Sequence, residues 1–307
     1  MKSTMRIIDP HVHFWDLATH RYPWMDSQAE GFLGDTTALK KTYLPADLLA
    51  DAAADIEIEQ VVHVDANHDP ADPVEETRWL QSLADAPDGP DWPQAIVAAA
   101  DLSQNGVQAL LEAHHHYRNL RGIRQILNVH SDPRFDYVGR HYLREPRWRE
   151  NFRLLARFGL SFDLQIYPSQ MDEAAQLARQ NPDTVLVLDH TGMFVDRATM
   201  TGWRIWRDGL RQLAACPNVV IKISGLAMFD HHWTVESLRP YVLEAIDAFG
   251  AERAMFASNF PVDKLFGSYT AIWRAYDTIV AGASATERDA LFRTSARRVY
   301  RLGNERR

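Results

Sequence analysis

Eight short, nearly continuous apolar runs, each followed by a helix-patterned stretch, constrain this chain more than any other feature. They fall at 6–11, 59–64, 95–100, 120–126, 160–166, 184–188, 219–223 and 254–257. Runs of this kind suit strands buried on both faces. The stretches between them carry helix signals. Asp72-Pro73-Val74-Glu75 reads as a helix start, with Asp as N-cap, Pro at the first helical position and Glu three residues on. Pro146 opens a stripe through Trp148, Phe152, Leu155 and Phe158. Further helices are predicted over 171–180, 203–214 and 235–249, and a last one starts at Ser284, with Glu287 three residues on. Strand and helix alternating eight times is the pattern of a (β/α)8 TIM barrel, an α/β fold. A doubly wound sheet is the competitor, but no G-x-G-x-x-G follows the first run. The Pro/Gly-rich 86–93 reads as a loop, so residues 1–307 are expected to form a single domain.

Composition excludes several functions. The chain has 33 basic and 41 acidic residues, a net charge of −8. That balance argues against a nucleic-acid partner bound through its phosphates. One cysteine permits no internal disulfide. It sits as Cys216 before the seventh run and reads as a small apolar filler. No apolar run approaches the ~20 residues of a membrane span. No apolar leader follows Met-Lys-Ser-Thr-Met-Arg, so a cytoplasmic protein is expected. Oligomeric state is not readable.

In such a barrel the chemistry lies where strands end. The polar residues there are His11 and His13, His63 and Asp65, Asp101, Arg124 and Asn128, Gln165 and Tyr167, Asp189 and His190, Lys222 and Ser224, and Ser258, Asn259 and Asp263. His11 and His13 are two apart on a strand and share a face, so both imidazoles can converge on one metal ion or one substrate oxygen. Arg124 lies inside an apolar run. An unpaired buried guanidinium is costly, so it must meet a carboxylate, from Asp101, Asp163 or a substrate. Trp15 and Trp24 suit a flat sugar face, or ordinary packing. His114-His115-His116 point different ways on a helix and read as solvated surface. His231-His232 follow the seventh strand and could reach a substrate.

These residues resemble a known family. Ile8-Asp9-Pro10-His11-Val12-His13-Phe14-Trp15-Asp16, then Arg21-Tyr22-Pro23-Trp24, is similar to the opening of the amidohydrolase-superfamily branch that holds sugar-acid lactonases and 2-pyrone-4,6-dicarboxylate lactonase. Leu120-Arg121-Gly122-Ile123-Arg124, Leu188-Asp189-His190-Thr191-Gly192, Ile221-Lys222-Ile223-Ser224-Gly225-Leu226 and 255–263 continue the likeness. The resemblance implies a distorted TIM barrel and a hydrolase that opens a small lactone, with a role in carbohydrate catabolism. It implies a small-molecule substrate, anionic or polyhydroxylated, near Arg124, Gln165, Asn128 and Trp15. It makes His11, His13 and His190 catalytic and candidate ligands of a divalent metal such as zinc, which members of the branch hold in some cases and work without in others. One position departs from the pattern: Asn259 stands where the family has an aspartate that handles the attacking water's proton. An amide is no general base. Asp263, four residues on, is the preferred substitute, expected to fold back over the cavity, and His190 is the alternative. A decarboxylase and a non-catalytic acid binder are the competing readings.

Overall fold

The computed structural model describes residues 4–26 and 31–303. The first three residues of the stretch inspected for a leader lie outside that range. Eight strands form one parallel sheet in sequence order: β1 (Met5–Val12), β2 (Ile56–Val64), β3 (Ala95–Ala99), β4 (Leu120–Ile126), β5 (Ser161–Gln165), β6 (Leu186–Leu188), β7 (Val219–Ile223) and β8 (Ala254–Phe256). The sheet closes just beyond β8. Val12 bridges Phe260 in parallel, the His13 amide donates to the Phe260 carbonyl (2.8 Å), and the Asn259 amide donates to the His11 carbonyl (3.0 Å). The fold is therefore a (β/α)8 barrel, with two site residues built into its seam.

The predicted strands and helices stand close to their observed bounds, with one difference of origin. The helix after β2 is Glu75–Ala84, and its N-cap is Val74 without a side-chain cap. Asp72 instead closes a backbone turn, its carbonyl accepting from the Glu75 amide at 3.3 Å. The pattern at Ser284 holds: Ser284 and Glu287 satisfy each other's backbone amides. No helix among the described residues is long and apolar enough to cross a membrane.

Two apolar layers follow from strand alternation. Ile7, Val61, Ile96, Ile123 and Ile221 face the outer helices in the main core. Ile8, Val62, Val97, Val187, Val220 and Met255 face inward and pack on Ala296, Val299, Tyr300 and Leu302. The end of the described chain thus plugs the amino-terminal mouth of the barrel. The opposite mouth is left for the polar strand ends.

His114 is a correction. It is buried, its ring nitrogens contacting Thr77 Oγ1 (2.9 Å) and the Ala99 carbonyl (3.2 Å). It faces inward from the helix Val107–His115, whereas His115 and His116 are exposed. Cys216 is buried as the filler role requires.

Candidate active site

The carboxyl ends of the strands meet around a cavity of about 90 Å³, lined by His13, Trp15, Trp24, Phe32, Leu33, Ala66, Asn67, Arg124, Ile126, Tyr137, Gln165, His190, Met193, Met228, Asn259 and Val262. The predicted convergence of His13, Arg124, His190 and Asn259 is present. A larger cleft of about 660 Å³ adjoins it over β2–β4 and shares Trp24, Asn67, Arg124, Ile126 and Tyr137. Only with that cleft does the site reach the ~300–1,000 Å³ of ordinary ligand pockets.

The histidines form a ladder. The His11 ring centroid is 5.0 Å from that of His13 and 4.5 Å from that of His190. His13 Nδ1 contacts the Val64 carbonyl (2.8 Å), and His190 Nδ1 contacts Ser224 Oγ (3.1 Å). A carbonyl only accepts, so His13 carries its proton on Nδ1 and turns the Nε2 lone pair elsewhere. Burial pushes the His190 imidazole down to about 3, and holds those of His11 and His13 well below the usual range. All three are neutral near pH 7, the form that accepts a proton or binds a metal.

Holding His190 in place strains the backbone. His190 and Thr191 have φ of 53° and 56°, Asn259 has 59° and Asn67 has 55°. Left-handed backbone at a non-glycine residue costs on the order of 1–3 kcal/mol and is found where surrounding structure enforces it. Thr191, being β-branched, is the least suited of the four. Gly225 (φ +62°) lets the β7 loop pass close by: a Cβ there would stand 2.6 Å from His190 Nδ1 and 2.7 Å from Met228 Cε.

Below the cavity lies a closed network of charge. Lys222 Nζ pairs with Asp163 Oδ2, and lies 3.3 Å from both Asp189 Oδ1 and His11 Nδ1. The Tyr300 hydroxyl reaches Asp163 at 2.9 and 3.1 Å. Lys222, Asp163, Asp189 and His11 are fully shielded from solvent. Asp189 was weighed in the sequence only as a carboxylate; its proximity to His11 required the fold.

Metal donors are present, though not in the expected combination. His11, Asp189 and His190 each offer a ligand atom, all within 4.8 Å of one another. His11 Nε2 and both Asp189 oxygens are buried without a hydrogen-bond partner. Two imidazoles and a carboxylate suit zinc, and the set fits a divalent ion. His13, expected as a donor, stands outside this cluster, its Nδ1 held by the Val64 carbonyl.

Arg124 is paired, but not with the expected residues. Its Nε bonds Asp65 Oδ2, its Nη2 the Asp65 carbonyl, and its Nη1 Gln165 Oε1 (3.1 Å). Asp163 is committed to Lys222, and Asp101 to Ser103, Gln104 and Gln125. Gln165 therefore orients Arg124 as well as lining the cavity. Asn128 is buried and does not line the small cavity; its amide contacts Met193 Sδ at 3.5 Å.

Asp263 does not fold over the cavity. It is buried behind Asn259, whose amide donates to Asp263 Oδ1 at 2.7 Å, while Oδ2 has no partner. Burial pushes this carboxyl up to about 8. A group protonated near pH 7 and screened by an amide cannot take a proton from water in the cavity. His231 and His232 are exposed outside the cavity lining, with His231 stacked on Phe266. Glu76 was missed by the sequence reading: it lies on the helix after β2, accepts from the Ala66 amide, and burial pushes it up to about 8.

A parallel barrel with histidines at the ends of its first and sixth strands, converging on one mouth, defines a hydrolase-type TIM-barrel site. The chain belongs to the amidohydrolase family, whose model (Amidohydrolase) matches residues 8–302. It is 49% identical over 302 residues to the uncharacterized protein y4mH of Sinorhizobium fredii, covering 98% of this chain and 100% of that one. It is 29% identical to an L-fucono-1,5-lactonase of Burkholderia multivorans, over 96% of each chain. A zinc-bound amidohydrolase structure from Burkholderia multivorans superposes with a TM-score of 0.80 at 28% identity, covering 97% of this chain and 99% of that one.

Proposed function

We propose that this protein opens a small, neutral, polyhydroxylated lactone by attack of water on the ring carbonyl. The observation that carries this reading is the cavity wall itself: neutral imidazoles, side-chain amides and aromatic rings around one guanidinium whose charge is already matched. Of the described lining residues of the cavity and its adjoining cleft, Arg124 is the one arginine or lysine, and Asp65 neutralises it. A dicarboxylate would enter without an unmatched cation to meet it, at a desolvation cost. A sugar lactone brings hydroxyls for Gln165, Asn67 and Asn259 and an apolar face for Trp15 or Trp24. The likeness to an L-fucono-1,5-lactonase supports the same class.

His190 takes the water's proton in this reading. Its imidazole is neutral and lines the cavity, and Asp189 beside it offsets the imidazolium that forms. The Arg124 edge is the donor that meets the carbonyl oxygen as it gains charge, while His13, protonated on Nδ1, presents only an acceptor there. A divalent ion held by His11, Asp189 and His190 would engage His190 as a ligand in place of its proton-accepting role, and would polarise the carbonyl or water. A panel of aldono-1,5- and 1,4-lactones, followed by acid release with and without chelator, tests the proposal. Turnover of neutral sugar lactones is the expected result. Absence of turnover across the panel, or carbon dioxide release from hydroxylated aromatic acids, overturns it.

A further inference from the structure

Lys222 has no part in the reaction as drawn above, yet it is fully buried beside the site. Its ammonium stands among Asp163, Asp189 and His11, over the Tyr300 ring at 5.2 Å. Two of those three neighbours, Asp189 and His11, also belong to the donor set that fits a divalent ion. We infer that Lys222 is the site's own resident cation, and that a divalent metal at His11, Asp189 and His190 binds only in competition with it.

Two independent effects give this antagonism. The first is charge. Asp163 and Asp189 supply two negative charges, and Lys222 already cancels one of them. A metal ion added beside the ammonium meets a like charge in a region closed to water, where screening is weak.

The second effect is the tautomer of His11. An ammonium group has donors and no lone pair, so in the contact with Lys222 Nζ the His11 Nδ1 must accept. The proton of the neutral ring then sits on Nε2, the atom with no protein partner. Ligation through Nε2 needs that lone pair free and the proton moved to Nδ1, where it would point at the ammonium. Ligation through Nδ1 would displace Lys222 directly. In either case His11 gives up its bond to Lys222 when it takes a metal. Metal-binding histidines usually have their second nitrogen donating to a carboxylate or carbonyl, which favours ligation. Here Asp189 Oδ1 also lies 3.3 Å from His11 Nδ1 but makes no hydrogen bond, and the group in hydrogen-bonding position is the donor Lys222, which therefore acts on the metal site as a positioning residue with reversed sign.

Zinc titration of metal-free protein by calorimetry tests the inference. Lys222→Met is expected to bind zinc at least tenfold more tightly than the unchanged protein, and Lys222→Arg, which keeps the charge, is not. Lys222→Met leaves Asp163 buried without its cation and can fail to fold. The double variant Lys222→Met/Asp163→Asn leaves the net charge of the cluster unchanged, so only the His11 effect remains, and it is expected to bind zinc more tightly than the unchanged protein but by less than the single variant. Nitrogen NMR of the metal-free protein gives a second readout: His11 is expected to be protonated at Nε2. Unchanged or weaker zinc binding in the folded single or double variant overturns the inference, as does a proton found on His11 Nδ1.

Discussion

The two sides of the barrel mouth solve opposite problems. On the β2–β4–β5 side, Arg124 has Asp65 and Gln165 on its three nitrogens, so its charge is satisfied, and the unpartnered buried atoms there, His63 Nε2, Asn128 Oδ1 and the Tyr167 hydroxyl, are neutral groups. On the β1–β6–β7 side, His11 Nε2 and both Asp189 oxygens are buried without hydrogen bonds, and the backbone at His190 and Thr191 is strained. Buried polar groups are normally satisfied, and exceptions gather where a protein does chemistry. The side whose charge is satisfied holds the barrel together and shapes the cavity; the side where a carboxylate lacks hydrogen bonds keeps bonding capacity for reacting atoms. Substitutions on the first should therefore register chiefly in stability, and those on the second chiefly in rate.

His190→Asn carries the largest expected effect. Loss of the proton acceptor should lower kcat by at least about 10²-fold, the lower end of general-base contributions, while stability changes by about 1 kcal/mol or less. Steady-state kinetics beside chemical denaturation separates the two, and unaltered turnover would remove His190 from its role. Arg124→Met tests the other side. It leaves Asp65 buried without its cation, at a cost of about 3–5 kcal/mol in unfolding free energy. Arg124→Met/Asp65→Asn should recover much of that loss in denaturant melts. If the single variant is as stable as the parent, the satisfied side is not structural in the sense argued.

Gly225→Ala should act on both. The methyl adds strain at positive φ of about 1 kcal/mol and pushes against His190 Nδ1, with kcat expected to fall about tenfold. A rate indistinguishable from the parent would show that His190 tolerates displacement.

Asp263→Asn has the smallest expected effect on rate, under about tenfold, because Asn259 stands between this carboxyl and the cavity. Its effect should appear in the pH dependence of stability. Burial raises the folded-state value of Asp263 to about 8, far above that of an unfolded aspartate. Between those values the folded protein binds the extra proton, so this group's stabilisation is full at low pH and is lost as pH rises toward 8. Glu76, also raised to about 8, acts in the same sense. The histidines act oppositely. His63 and His190 are depressed to about 3, and their contribution is lost as pH falls from about 6.5 toward 3. Above pH 6.5 the acids dominate, and melting temperature should fall from pH 6.5 to 8. Asp263→Asn should flatten that fall. An unchanged slope would mean that Asp263 is already ionised in the folded protein.

The barrel was legible because strands buried on both faces must be apolar throughout, and nothing else in the chain imitates that at eight positions. His11, His13, Arg124, Gln165, His190 and Asn259 were legible because a polar residue ending such a strand has only the mouth to enter. The pairings were not legible. Arg124 could be seen to need a carboxylate, but β4 lies two strands from β2, and only barrel curvature brings Asp65 to it rather than Asp101. Asp263 failed for a related reason. Its distance of four residues from Asn259 fits a loop returning over the cavity and equally the short turn Val262–Leu265 that carries it behind. Sequence separation does not distinguish them. Glu76 was hidden because it directly follows the helix-start signal at 72–75, where an acidic residue is expected whether or not it is buried.

Tyr300 ties the two ends of the described chain to one floor. Its hydroxyl closes the Lys222–Asp163 network from the carboxyl-terminal end of the described chain, whereas His11 enters that network from the first strand. The two are separated by nearly the full length of the polypeptide. Lys222, Asp163 and Asp189 can balance one another without Tyr300, but the floor beneath them is shut only where that ring is seated. The turns around Tyr300 thus act as a stopper that keeps water from the network, and loosening them would change the electrostatics of the mouth from below.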